Sequence, residues 1–102
     1  MNDTYDAVAD AAVGRLCGAV SDRVSAAADL YPTTRVADAA WAAAEGHEVH
    51  SYADAESLAE RLVEAAVGAL PPLRRPARTE WARIVARALD RADLRVLVER
   101  DE

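Results

Sequence analysis

Stepping 100° per residue from Tyr5 to Tyr31 gathers Tyr5, Ala9, Ala12, Val13, Leu16, Val20, Val24, Ala27, Leu30 and Tyr31 on one wide stripe. Apolar positions that recur at three- and four-residue steps predict an amphipathic helix. Asp3 or Thr4 can cap its start, the early Asp3, Asp6 and Asp10 suit the positive end of the helix dipole, and Pro32 ends it. Gly14 and Gly18 fall on the face away from the stripe, where a glycine offers a kink or a close approach to another surface. Thr33 or Thr34 caps a second, shorter helix with Val36, Ala37, Ala40, Trp41 and Ala44 along one side, and Gly46 stops it.

The segment His47 to Tyr52 has no helical period and reads as a loop or a short strand. A third helix is predicted over 54–70, with Ala55, Leu58, Leu62, Ala66, Ala69 and Leu70 inward and Glu56, Glu60 and Glu64 outward. Pro71-Pro72 ends it, and 73–77, with Arg74, Arg75 and Pro76, reads as an extended basic connector. Thr79 caps a fourth helix whose buried face is Trp81, Ile84, Val85, Ala88 and Ala92. Beyond Asp93 the helical period fails and Leu94, Val96 and Val98 alternate with Arg95, Leu97 and Glu99, as in a strand. The one partner the sequence offers such a strand is 47–52, so residues 47–52 and 94–99 would form a small two-stranded patch. The expected fold is mainly α, a compact bundle of about four helices in a single domain spanning 1–102.

Composition sharpens this picture. The 102 residues include 25 Ala, 11 Val and 9 Leu against one Ile, one Met and no Phe, so the core must be built from small side chains. Trp41, Trp81, Tyr5, Tyr31 and Tyr52 are therefore expected to carry a large share of the burial. The lone cysteine, Cys17, has no internal disulfide partner, and no apolar run approaches the roughly 18 residues of a membrane span. Asp3, Asp6 and Asp10 stand where a secretion signal would need basic and then apolar residues, which predicts a cytoplasmic protein with no membrane association.

The formal charge is −6, and it is unevenly spread. Residues 1–60 hold eleven acids and three arginines, net −8, while residues 61–102 hold seven acids and nine arginines, net +2. The acidic part is compatible with docking onto a basic surface, where the potential would steer association. In the fourth helix Arg83, Arg87, Arg91 and Arg95 recur every fourth residue, preceded by Arg74, Arg75 and Arg78. Like charges at that spacing destabilise an isolated helix by a few tenths of a kcal/mol per pair, so the row calls for an anion, either phosphate or an internal carboxylate. Asp90 beside Arg87 and Glu99 beside Arg95 are the nearest internal candidates, and the acidic half could complete such a clamp.

The sequence names no catalytic machinery. His47 and His50 with Glu45, Glu48 and Asp54 are the only grouping of metal-ligand types, but no Cys pair or third His completes a set, so no metal or cofactor is expected. Cys17 lies at the edge of the first helix's apolar stripe and reads as packing. Ser21, Ser25, Ser51 and Ser57 lie in no Gly-x-Ser-x-Gly turn, and four glycines provide no phosphate-binding loop. A nucleophile, a base and oxyanion donors cannot be named together, which argues against an enzyme.

The opening Thr4-Tyr5-Asp6-Ala7-Val8, leading into a short, acidic, alanine-rich helical chain, resembles the starts of small accessory proteins of phages and mobile elements, the anti-CRISPR type among them. The resemblance implies a stoichiometric, protein-binding inhibitor of a nucleic-acid-handling complex, in one version a DNA mimic whose carboxylates imitate phosphates. The partner would be a basic nucleic-acid-binding protein, and the candidate contacts are Asp3, Asp6, Asp10, Asp22, Asp29, Asp38, Glu45, Glu48, Glu56, Glu60 and Glu64. The arginine-rich second half departs from a uniform mimic. It supports an alternative, a transcriptional regulator or antitoxin that contacts nucleic-acid phosphates through Arg83, Arg87 and Arg91. A third reading is a structural adaptor whose Ala and Gly faces pack another helix; the oligomeric state stays open in all three.

Overall fold

The computed structural model describes residues 3–29 and 33–92, with side chains from 11–29 and 34–92. Four helices follow one another: α1 (Asp3–Ala27), α2 (Thr33–Ala44), α3 (Tyr52–Gly68) and α4 (Arg78–Ala92). The mainly α, four-helix bundle expected from the periodicity is what the chain forms. Helices α1 and α3 pack on each other and on both remaining helices, which places α2 and α4 on the flanks.

The central position of α1 changes which of its residues are buried. Ala12, Leu16, Val20 and Val24 are inside as the stripe requires, but so are Cys17, Ser21 and Ser25, while Ala27 is exposed. A helix that touches three neighbours is covered around much of its circumference. The Ser21 hydroxyl is accommodated locally, because its Oγ donates to the Cys17 carbonyl oxygen at 2.7 Å. The helix also ends before Pro32. Asp29 adopts φ 58°, a left-handed conformation that Asp tolerates and that closes helices, and the Ala28 N–H bonds the carbonyls of Val24 and Ser25. Leu30, Tyr31 and Pro32 lie outside the described residues.

Gly46, at φ 81°, stops α2 as expected. The segment 47–52 is not a strand. His47 to His50 form a loop pinned by the fully buried Val49, and the His50 N–H, which a strand would spend on a neighbour, goes instead to the Asp54 carboxylate at 3.1 Å. Ser51 then caps α3 by accepting the Asp54 N–H at 3.1 Å, so the helix starts at Tyr52, two residues ahead of the expected position. The other half of the expected patch, 94–99, lies outside the described residues; there is no strand among the residues described.

A single 3₁₀ turn at Pro72–Arg74 interrupts the connector between α3 and α4, and two of its arginines are structural. Arg75 donates from Nε to the Leu70 carbonyl at 3.0 Å and from Nη2 to that of Gly68 at 3.1 Å, satisfying carbonyls that the end of α3 leaves open. Arg74 Nη1 reaches the Ala28 carbonyl at 3.4 Å and ties the connector to the end of α1. Thr79 falls inside the first turn of α4 rather than capping it.

Of the 24 buried hydrophobic residues described, ten are alanine, and the largest fully buried side chains are Leu16, Leu62 and Leu70. Of the five aromatic residues expected to carry the burial, the three described do not dominate the core, and the side chains of Tyr5 and Tyr31 lie outside the described residues. Trp41 is 52% and Tyr52 43% exposed, and Trp81 is only partly buried. Alanine interfaces let helices approach closely, and the space between such helices is too shallow to enclose an indole.

Candidate functional site

Helix α4 has a buried face of Ile84, Val85, Ala88, Leu89 and Ala92 and two solvent edges, each of which forms a groove with a neighbouring helix. The edges carry opposite charge.

On the α3 side an open groove of about 560 Å³ is floored by Val63, Val85 and Leu89 with Ala82 and Ala86. Its α3 rim is Glu56, Glu60 and Glu64, all exposed, which the four-residue spacing places in one row beside the buried positions of that helix. Among the described residues none of the three forms an ion pair. Tyr52 lines the same groove, with Arg78 and Trp81 contributed by the start of α4. The Trp81 ring is held by an Nε1–H bond to the Pro76 carbonyl at 3.4 Å and by the Arg78 guanidinium, 4.8 Å from the ring centroid. A row of carboxylates beside an apolar floor with a positioned indole is suited to an amphipathic, basic ligand.

The remaining acidic candidates are dispersed. Asp22 lies at the α1–α4 seam, Asp38 on the outside of α2, Asp29 in the turn after α1, and Glu45 and Glu48 around the turn that follows α2. Glu48 Oε2 is 2.9 Å from His50 Nε2, and Asp54 serves the α3 cap. The side chains of Asp3, Asp6 and Asp10 lie outside the described residues. Among the described residues, only Glu56, Glu60 and Glu64 are brought together in a lined groove.

On the α1 side Arg83 and Arg87 share a groove of about 210 Å³ with Arg23, Glu80 and the alanines of α1, and farther along Arg91 shares another with Arg15 and Asp22. The expected internal clamp is not made by Asp90: among the described residues Arg83, Arg87 and Arg91 form no ion pair. Arg95 and Glu99 lie outside the described residues. Arg15 and Arg23 were not candidates in the sequence, since nothing local links them to a helix sixty residues away.

No family model, curated protein or solved structure matches this chain.

Cys17 contributes packing rather than chemistry to this arrangement. It is fully buried, its Sγ is 4.0 Å from the Ala40 carbonyl oxygen, and burial pushes its thiol up to about 11. A thiol held protonated at neutral pH is a poor nucleophile. Among the described residues no three His, Cys, Asp or Glu side chains are placed to hold a metal ion. No helix among them is long and apolar enough to cross a membrane.

Proposed function

We propose that the protein is a binding module whose α3–α4 groove takes a basic amphipathic segment of another protein. The observation that carries this reading is the row Glu56, Glu60, Glu64, without an ion pair among the described residues, along the rim of an apolar floor. Carboxylates at four-residue steps are spaced about 6 Å apart along the helix axis, a pitch that a row of Arg or Lys on a docked helix reproduces. The apolar floor supplies area for affinity, and the charges supply orientation and on-rate.

Basic stripes of this kind are the electrostatic footprint of nucleic-acid-binding proteins. Occupying one would keep that partner from its phosphates, so the reading extends to an inhibitor of a nucleic-acid-handling complex of the anti-CRISPR type. DNA mimicry in this reading is confined to one row of carboxylates, because the other described acids sit on separate elements.

The test is a titration with an 18-residue helical peptide bearing a leucine–alanine face flanked by arginines, followed by Trp81 fluorescence in a Trp41→Phe background. Saturable binding that weakens at least tenfold in the triple variant E56Q/E60Q/E64Q, with helicity unchanged, is expected. The reading fails if the triple variant binds as the parent does, or if the parent does not bind.

A further inference from the structure

We infer that the α1–α4 seam is a second, independent binding surface, and that it takes the phosphodiester backbone of a nucleic acid. Arg83 and Arg87 of α4 meet Arg23 of α1 in one groove, and Arg91 meets Arg15 in the next. As residue numbers rise along α1 those facing it on α4 fall, so the helices run antiparallel and the two grooves follow one another along the same seam. Among the described residues two carboxylates, Asp22 and Glu80, line it against the guanidiniums of Arg23, Arg83, Arg87 and Arg91.

Arg83, Arg87 and Arg91 are exposed and form no ion pair among the described residues, although like charges four apart on a helix repel. A row that no described carboxylate compensates leaves its guanidiniums open to an external anion. Its length from Arg83 to Arg91 is about 12 Å at the helical rise, which spans roughly three successive phosphates of one strand. Guanidinium forks bind phosphate oxygens bidentately. Between the arginines the seam is floored by Ala19, Ala26, Ala27 and Ala92 with the largely buried Ile84, and the small alanine side chains leave room for phosphate oxygens. The glutamate row stands on α3, across the groove at the opposite edge of α4, so the two surfaces do not compete for one ligand.

The experiment is anisotropy of a labelled 20-base-pair duplex titrated with the full chain at about 50 mM NaCl, repeated at rising salt. Saturable binding is expected with a log–log salt slope near −3, the value for about three phosphate contacts. In R83Q/R87Q/R91Q the affinity should fall at least tenfold, and R83Q or R87Q alone should each reduce the slope by about one. E56Q/E60Q/E64Q should bind the duplex no more weakly than the parent, which separates this surface from the proposed peptide groove. An absence of saturable binding, a flat salt response, or an unchanged isotherm in the triple arginine variant would overturn the inference. So would equal binding of poly-L-glutamate with the same arginine dependence, which would assign the seam to an acidic protein.

Discussion

Gly14 of α1 and Trp41 of α2 meet across the helix pair, where a Cβ at position 14 would stand 3.5 Å from Trp41 Cη2. That separation is ordinary van der Waals contact, so this glycine is not required by a tight approach. Gly18 has nothing within 4 Å of its own Cβ position. Both sit inside α1, where glycine costs roughly 0.5–1 kcal/mol relative to alanine. Gly14→Ala and Gly18→Ala are therefore expected each to stabilise the fold by about that amount. Gly46 is the contrast, since its φ of 81° strains any L side chain, and Gly46→Ala should cost about 1 kcal/mol or more. Thermal unfolding of the three variants checks this, and a destabilised Gly18→Ala would contradict it most directly.

The Cys17 thiol links stability to alkaline pH. Its value in the unfolded chain is near 9.0 and burial raises it to about 11, so between those values the folded state retains a proton that the unfolded state releases. Stability that is present below pH 9 should then be lost progressively as pH rises towards 11, and Cys17→Ala should flatten that decline. In the native protein at pH 8 the thiol should resist a maleimide and react only after unfolding. Rapid native labelling would show that the site opens.

Core energetics should follow aliphatic rather than aromatic residues. Leu62 is fully buried, whereas Trp41 leaves half its surface in water. Leu62→Ala should cost about 2–5 kcal/mol, a large part of the stability of a domain this size, and Trp41→Ala distinctly less. Urea unfolding midpoints at constant slope decide the order, and a larger loss for Trp41→Ala would refute it.

Much of the site was legible where it depended on one helix. The row Glu56, Glu60, Glu64 and the row Arg83, Arg87, Arg91 follow from four-residue spacing alone. The partners of each row were not, because Trp81 and Leu89 on one edge and Arg15 and Arg23 on the other arrive only when helices pack, and Tyr52 joins the glutamate row at the same four-residue step because Ser51 starts α3 two residues early. Arg74 and Arg75 show the converse: in sequence they extend a basic run, yet their guanidiniums reach backbone carbonyls at the ends of α1 and α3.

By itself the sequence determined that the described residues form four helices, where α2 stops, and that α3 ends near Pro71-Pro72, since periodicity, Gly46 and proline act within a few residues. Tertiary structure alone decided that α1 is central, that Ser21 and Ser25 are buried, and that Trp41 is half outside. It also decided that 47–50 is a loop, through the bonds of Asp54 and the burial of Val49. The physical reason lies in the alanines. A methyl group gains so little on burial that an alanine-rich helix has only a weak preference for which of its sides faces inward, and the choice passes to whichever packing of the four helices buries the leucines and valines together.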